Sequence, residues 1–325
     1  MSFSLPGAPR MLLEGRPAAI QALLLAATLV IFGGAVANRF TSWDDDIYVT
    51  QNPLIRDVSL EGVSHLFTSF SNCNYHPVTY LTFMAEYAAV GLEPWLYHLD
   101  SILIHAAAGL LAFQLVRRWL GSDAVAALAA LLFLIHPTRV ESVAWVAERK
   151  DVLCAFFYFA SLLLYTSFLD RGGRGRYAAA LGLFLLAILS KMMAVTLPAV
   201  LAVLLVVRRR TGKRDLFLLT PFVVLSIVFS VVGVMALSAE HAIKGLHGGE
   251  VLPHLLTPLK ALAFYAAKLL VPVRLSARYF LEPATGLLDP LVLAGAVLAL
   301  LGGWAACWSF RRRPAVFLGI SWFAL

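Results

Sequence analysis

Charged residues are scarce in this 325-residue sequence, at 14%, while hydrophobic residues make up 60%. Soluble domains typically contain about 25% charged residues, so this composition excludes a water-soluble globular protein. Cysteine is almost absent, because there are only three and they form neither a CxxC pair nor any spacing that suits a metal. The sequence therefore predicts neither a disulfide framework nor a zinc site. What remains is a strongly apolar chain with a mean hydropathy of +0.81.

The basic excess, a formal net charge of +7, does not form the continuous stripe that nucleic-acid binding needs. Lysine and arginine occur instead in short clusters between apolar runs, where they indicate membrane topology. With the N-terminus placed in the cytoplasm, 15 of the 26 basic residues and only four of the 19 acids fall on the inner side. We therefore predict a membrane protein without a nucleic-acid partner, with its acidic residues gathered on the non-cytoplasmic side.

Eight apolar runs are candidates for crossing a hydrocarbon core of about 30 Å, which predicts an all-α polytopic bundle. The first run exceeds the usual length of a signal-peptide core, so we interpret it as an uncleaved helix. The segment Leu259–Leu287 is predicted to be interfacial or re-entrant, because basic residues interrupt its apolar pattern. Residues 1–325 are read as one membrane domain, truncated within the short last run Ala315–Leu325. The eight runs are Ala18–Asn38, Leu96–Val116, Val125–His136, Val152–Leu169, Tyr177–Leu189, Ala194–Val207, Leu216–Leu237 and Leu288–Trp308.

An acidic triplet, Asp44-Asp45-Asp46, follows the first run where the chain is predicted to leave the membrane. We call this stretch, with Trp43 before it, the acidic loop. Adjacent carboxylates repel one another, which raises the pKa of at least one of them, and a carboxylate at this boundary suits a general base or a cation ligand. The alternative is a solvated acidic turn that only marks the end of a helix.

A second outer segment, His136–Asp151, is far more charged than its neighbours, and we call it the cationic segment. Pro137 suits the first position of a helix, and Glu141, Trp145 and Glu148 would then share one face. Its basic residues, Arg139, Arg149 and Lys150, could bind the phosphate of a lipid headgroup. The alternative is an interfacial helix that extends its charged groups into water.

Three further polar features each allow a functional and a structural interpretation. Lys191, in an outer turn between apolar helices, either binds an anion or extends to the interface. The buried stripe His98, Ser101 and His105 is more simply structural than functional. The outer loop Ala239–His254 contains Glu240, His241, His247, Glu250 and His254, but its irregular, glycine-rich spacing favours a flexible loop over a metal site.

Four patterns together resemble the polytopic O-mannosyltransferase-like proteins that carry tetratricopeptide repeats, and their bacterial relatives, members of the GT-C class of glycosyltransferases. The cationic segment is the longest and most specific of the four. The patterns are Asp44 to Val49 with Asn52-Pro53; His136 to Leu153; Ser190-Lys191 with Ala194 to Pro198; and Tyr265 to Tyr279.

The resemblance implies transfer of a sugar from a polyprenyl-phosphate or dolichyl-phosphate carrier to a protein or glycan acceptor on the extracytoplasmic side. It places the essential acid at Asp44 or Asp45, with a divalent cation as a possible cofactor. The phosphate and sugar would contact further residues, and Glu141 would orient the cations or the sugar. These residues are His136, Arg139, Glu141, Arg149, Lys150, Lys191 and Arg278.

Two rival functions are compatible with the same pattern. A transporter or flippase for lipid-linked sugar should have polar groups and broken helices near the midplane, in two related halves, whereas here the charges crowd one side. The second rival function is a non-catalytic membrane anchor that presents downstream repeats to partners. The richness in alanine, leucine and arginine favours a bacterial inner membrane, with the site facing the periplasm. Eukaryotic members of the family would lie in the endoplasmic reticulum.

Overall fold

A computed structural model of the chain describes residues 15–71, 74–239 and 251–325. These residues form α-helices joined by turns, and no β-strand occurs among them beyond one isolated bridge between Ser71 and Asn74. The all-α prediction is confirmed. The helices are α1 (Pro17–Phe32), α2 (Leu60–Thr68), α3 (Pro77–Val90), α4 (Pro94–Leu120), α5 (Asp123–Ile135), α6 (Val140–Ala144), α7 (Arg149–Arg171), α8 (Arg174–Ser190), α9 (Leu197–Val207), α10 (Lys213–Ala239), α11 (Val251–Leu270), α12 (Pro290–Arg312) and α13 (Pro314–Ala324).

Each of the eight apolar runs lies on a helix, which confirms the polytopic bundle. Among the described residues, five helical stretches are long and apolar enough to cross a membrane. A sixth is obtained if α5 and the following segment Pro137–Ala144, which bend by 51° relative to each other, are counted as one span. The helices α5 and α9 are shorter, with 13 and 11 residues. The five long stretches are Pro17–Ala37, Pro94–Leu120, Val146–Arg171, Lys213–Ala239 and Pro290–Arg312.

Proline and glycine set several of the helix ends. Pro77 and Pro94 occupy the first turns of α3 and α4, where the missing N–H has no helical partner to lose. Gly121, at φ 67°, ends α4 in the left-handed conformation that glycine adopts without strain. Ser122 then caps α5 by accepting a hydrogen bond from the Val125 N–H. This short connection lets α4 and α5 pack side by side.

The chain folds into two compact units. In the first unit, which comprises the described residues of 1–202 and 212–240, α1, α4, α5, α7 and α8 pack together. Small residues allow this close packing: a Cβ on Gly109 of α4 would lie 2.2 Å from a methyl carbon of Leu134 on α5. The stripe His98, Ser101 and His105 faces protein, as predicted, with exposed fractions of 2% or less.

The connection after α1, predicted to lie on the outer side, is not the simple loop expected from the sequence, because it contains α2 and the buried helix α3. Tyr48, Tyr80, Phe83 and Tyr97 form part of a second core there, which Val146 and Ala147 of the cationic segment complete. At 14 residues α3 is too short to cross a membrane, so hydropathy alone does not reveal it. Tyr48 and Val49, which follow the acidic loop, pack with Phe83 and Met84 of α3.

The second unit comprises residues 203–211 and the described residues of 241–325. Within it α11 packs against α12, and a buried ion pair of 2.9 Å joins Lys260 Nζ on α11 to Asp289 Oδ2, the residue before α12. The segment predicted as interfacial or re-entrant, Leu259–Leu287, is helical to Leu270 and irregular beyond it. Its depth in the membrane stays a prediction, as does the single membrane domain.

Replacing Gly295 by Ala should destabilise this helix pair, because the new Cβ would lie 1.9 Å from the Leu259 carbonyl oxygen, a backbone atom that cannot rotate away. Overpacking of this kind typically costs about 1–3 kcal/mol. Thermal unfolding in detergent measures the loss. Gly302→Ala, on the same helix with open space around it, is the matched control and should leave the midpoint unchanged or raise it slightly. Equal midpoints for the two variants would contradict the packing.

Candidate active site

Asp45 connects the acidic loop to the cationic segment, which lies about a hundred residues further along the chain. Its carboxylate is 0% exposed. Oδ1 accepts a hydrogen bond of 2.8 Å from the Ala147 N–H, and Oδ2 accepts bonds from the N–H and hydroxyl of Thr41 at 2.8 and 3.1 Å. The two segments therefore meet, as a shared site requires. Trp43 and Trp145 add a contact between them, with ring centroids 5.9 Å apart.

Asp44, the neighbour of this buried residue, keeps its carboxylate available. It is half-buried, and its side chain makes no hydrogen bond or ion pair with any residue that the structure describes. Only its backbone carbonyl is used, by the Tyr48 N–H at 2.9 Å. The third acid, Asp46, accepts a bond from the Ile47 N–H of its own loop. The three acids thus differ in their surroundings, and Asp44 is the one whose side chain has no partner among the described residues.

The cationic segment is not the continuous helix predicted from its sequence. It comprises a tight turn at Pro137–Arg139, then α6, and then a second tight turn at Val146–Glu148 that leads into α7. Trp145 is extended, with φ −94° and ψ 118°, so Glu141, Trp145 and Glu148 do not share one helical face. The break frees the Ala147 N–H from helical bonding, and that N–H binds Asp45.

Four charged side chains form an ion-pair network where α7 begins. Lys150 Nζ lies 2.6 Å from Glu148 Oε1 and 4.8 Å from the centre of the Tyr48 ring. Lys191 Nζ pairs with Asp151 Oδ1 and lies 3.8 Å from Glu148 Oε2. Glu148 therefore joins the two lysines. Although burial acts to lower the pKa of Lys191, Asp151 and Glu148 outweigh it and raise the pKa, so the ammonium stays charged.

Arg139, Glu141 and His136 lie around this network. Arg139 is half-buried over the Phe133 ring, 4.9 Å from its centre, and forms no ion pair among the described residues. Glu141 is exposed and interacts electrostatically with both lysines and with Glu148. His136 binds the Thr138 hydroxyl through Nδ1 at 2.8 Å. The structure thus brings Glu141 close to the predicted cations, and Arg139 interacts electrostatically with Asp151 of the network.

Arg149 is the predicted phosphate ligand that the structure does not leave available. It is 0% exposed, and its guanidinium pairs with Glu86 and donates to Thr82, Ser101 and the Tyr97 carbonyl. A side chain so enclosed is out of reach of a substrate, so we assign Arg149 no direct contact with one. The sequence misled because adjacent positions at a helix start point in different directions: Lys150 faces the network and Arg149 faces the core.

Arg278 and the histidine-containing loop are the remaining candidates predicted from the sequence. Arg278 belongs to the second compact unit, where it is exposed and lies over the Phe280 ring at 4.9 Å. Its contact with a phosphate stays a prediction. Of the loop residues considered as metal ligands, Glu240, His241, His247 and Glu250 lie outside the described residues, as does Cys73. Among the side chains that the structure describes, no group of three acids, histidines or cysteines could hold a metal. The divalent cation stays a prediction.

His76 is a site residue that the sequence did not reveal. It precedes α3, is 3% exposed, and its Nε2 lies 3.3 Å from the Tyr48 hydroxyl. Burial, together with the charges of Lys150 and Lys191, lowers its pKa to about 3. The imidazole is therefore neutral at physiological pH and bonds a tyrosine that also contacts Lys150. Only the motif Tyr75-His76-Pro77, a histidine before a helix-starting proline, could have pointed to it.

The depressed pKa of His76 makes stability depend on pH in a defined direction. The unfolded chain takes up this proton near pH 6.5 and the folded chain does not, so stability is complete above pH 6.5 and falls as the pH drops towards 3. The slope is at most about 1.4 kcal/mol per pH unit. His76→Gln should reduce the loss of thermal midpoint between pH 7.5 and 5.5, whereas His65→Gln, on the exposed side of α2, should not. Identical pH dependence in all three proteins would contradict this burial.

Residues 76–234, just under half of the chain, match the sequence model of the family described as dolichyl-phosphate-mannose-protein mannosyltransferase. Protein O-mannosyl-transferase TMTC2 of Mus musculus is 37% identical over 117 residues, which cover 36% of this chain and 14% of that protein. Protein O-mannosyl-transferase TMTC1 of Homo sapiens is 28% identical over 170 residues, which cover 48% of this chain and 19% of that protein. Protein O-mannosyl-transferase TMTC3 of Homo sapiens is 33% identical over 96 residues, which cover 30% of this chain and 10% of that protein.

The chain thus spans less than a fifth of the length of each of these three relatives. No solved structure matches it. The matched segment begins at His76 and contains α3, the cationic segment and Lys191, which is most of the cluster described above. The resemblance read from the sequence motifs is confirmed: residues 76–234 are similar to the dolichyl-phosphate-mannose-protein mannosyltransferase family.

Proposed function

We propose that this chain is the membrane part of a GT-C glycosyltransferase that moves a mannosyl group from a polyprenyl-phosphate carrier to an acceptor hydroxyl on the extracytoplasmic side. The observation that carries the proposal is the hydrogen bond from the Ala147 N–H to Asp45, which joins the acidic loop to the cationic segment. The related mannosyltransferases support the reaction class. The predicted excess of basic residues on the cytoplasmic side supports the location of the site.

In this mechanism Asp44 is the general base. Its carboxylate takes the proton of the acceptor hydroxyl while the hydroxyl oxygen attacks the anomeric carbon of the sugar. The bond from that carbon to the phosphate oxygen breaks, and its electron pair stays on the lipid phosphate. A single displacement inverts the configuration at the anomeric carbon. Asp45 does not exchange protons in this scheme; it holds the loop that presents Asp44.

The leaving phosphate is stabilised by the cations of the network. Lys150 and Lys191 already lie against acidic partners, and Arg139, without an ion pair among the described residues, can form the bidentate contact that guanidinium makes with phosphate. Such charges gain strength where burial lowers the effective dielectric constant. Glu141 and Glu148 orient the lysines, and neutral His76 fixes Tyr48 beside Lys150.

The test is to incubate the purified full-length protein, in detergent or vesicles, with a panel of polyprenyl-phosphate sugars and an acceptor peptide. Release of the lipid phosphate, with the sugar recovered on a hydroxyl, is the expected result. An inserted and folded protein that releases no lipid phosphate from any donor would overturn the proposal. Movement of intact lipid-linked sugar across the vesicle membrane would instead favour a transporter.

A further inference from the structure

A short segment between α11 and α12 folds around one lysine side chain. It comprises residues 271–280, which contain no helix or strand, and we call it the basic loop. Lys268 Nζ, in the last turn of α11, donates to the Val273 and Arg274 carbonyl oxygens at 2.7 and 3.2 Å. The same ammonium lies 5.3 Å from the centre of the Tyr279 ring. The lysine therefore holds both arms of the loop against α11.

Hydrogen bonds within the basic loop complete its structure. The Ser276 N–H donates to the Tyr279 hydroxyl oxygen, and the Ser276 hydroxyl donates to the Arg278 carbonyl, each at 2.9 Å. Arg274 has φ 52°, in the left-handed region that a residue with a Cβ adopts only at a cost. Backbone of this kind persists where the surrounding structure fixes it. The bonds of Lys268 and Ser276 therefore set the conformation in which Arg274 is presented.

The basic loop presents two arginines and several apolar side chains to its surroundings. Arg274 and Arg278 are exposed, and neither forms an ion pair with any residue that the structure describes. Arg278 extends over the Phe280 ring, 4.9 Å from its centre, and Phe280 itself is 83% exposed. The exposed apolar side chains are Val271, Val273, Leu275 and Phe280. Unpaired basic groups beside exposed apolar side chains are typical of a surface that contacts lipid.

We propose that the basic loop lies at the bilayer surface, where Arg274 and Arg278 bind the phosphate groups of anionic bilayer lipids and its apolar side chains enter the acyl boundary. Guanidinium groups form bidentate bonds with phosphate, and basic residues next to a membrane are attracted by its negative surface potential. The position along the chain agrees, because α12, which is long and apolar enough to cross the membrane, begins at Pro290, close behind the loop. The partner is the bilayer itself, so the inference does not depend on the proposed reaction.

Lys268 and the apolar side chains have separate parts in this arrangement. Lys268 does not contact lipid, because its ammonium donates to two loop carbonyls and faces an aromatic ring. It is a positioning residue that holds the two arginines at headgroup level. The apolar side chains distinguish a lipid surface from a small soluble anion, which would bind the arginines and leave those side chains in water.

A nitroxide label at Ala277→Cys, an exposed position in the loop, tests this contact after the native cysteines are replaced by alanine. The full-length protein is reconstituted in vesicles of phosphatidylcholine, alone or with about 30% phosphatidylglycerol. Collisions of the label with a neutral, water-soluble nickel chelate measure its exposure to water. Phosphatidylglycerol should lower them about twofold or more, and about 0.5 M salt should weaken this response. The double variant Arg274→Gln with Arg278→Gln should show no response.

The double variant Arg311→Gln with Arg313→Gln is the matched control, because it removes the same charge at the opposite end of α12. Its label should respond to phosphatidylglycerol as in the unsubstituted loop. An equal loss of response in both double variants, or a label that stays in water in every vesicle, would overturn the proposal. Shielding that appears only when polyprenyl phosphate is added to neutral vesicles would assign the arginines to the sugar carrier and also overturn it.

Lys268→Met tests the positioning role, since methionine has a similar length but no hydrogen-bond donor. In detergent without anionic lipid, the spectrum of the Ala277→Cys label should show a more mobile nitroxide in this variant. The double variant Arg274→Gln with Arg278→Gln should keep the original spectrum, because it leaves the carbonyl bonds to Lys268 in place. An unchanged spectrum in Lys268→Met would show that the lysine does not organise the loop, and would rule out its positioning role.

Discussion

We expect Asp44→Asn to abolish sugar transfer while leaving the protein folded, with a loss of about 10²–10⁴-fold in kcat. The reason is that Asp44 is the acid of the triplet whose carboxylate has no hydrogen-bond partner among the described residues. An amide of the same shape cannot take a proton from the acceptor hydroxyl. Because no internal bond is lost, stability should not change. Release of lipid phosphate and the thermal midpoint in detergent measure the two effects.

The matched control for this variant is Asp46→Asn, in the same triplet and also half-buried. Asp46 accepts only a bond from the N–H of Ile47, which an Asn side-chain oxygen can also accept. Its activity should remain within a few-fold of the wild type. Equal losses in the two variants would indicate that the acidic loop acts through its total charge, and normal transfer by Asp44→Asn would reject Asp44 as the base.

Asp45→Asn, unlike Asp44→Asn, should lower the stability of the folded protein. Both carboxylate oxygens of Asp45 accept bonds, from Ala147 on one side and Thr41 on the other. Whichever way an Asn side chain is turned, its NH₂ group faces an N–H donor. Hydrogen bonds to a buried charge contribute about 1.5–3 kcal/mol each, so we expect destabilisation of about 3 kcal/mol.

Thermal unfolding of Asp45→Asn beside Asp44→Asn measures this difference directly. The two substitutions remove the same charge from adjacent residues, so any difference between them reflects burial and bonding alone. Without the hydrogen bond to Ala147, Asp44 is no longer held near Lys150 and Lys191. The rate of sugar transfer should therefore fall even at temperatures at which the variant is folded. An Asp45→Asn protein as stable as Asp44→Asn would show that the link between the two segments is not important.

The sequence identified most of the membrane helices because apolar runs and the proline and glycine residues at their ends are local signals. It did not identify α3, which is apolar but too short to cross a membrane and which contains Glu86, the partner of Arg149. The sequence also treated Arg149 and Lys150 as equivalent cations. Nothing in their order indicates that one points into the core and the other towards Glu148.

By itself, the sequence determined that this is an all-α, polytopic membrane protein with its acids concentrated between particular apolar runs. Hydropathy is a property of consecutive residues, so it can be read without knowing which distant segments are in contact. The motifs also determined its family resemblance. Only the tertiary structure decided that Asp45 is bonded while Asp44 has no partner among the described residues, that His76 contacts Tyr48, and that Arg149 is enclosed. These differences depend on which donors lie within about 3 Å of a carboxylate or guanidinium, and those donors come from segments far apart in the chain.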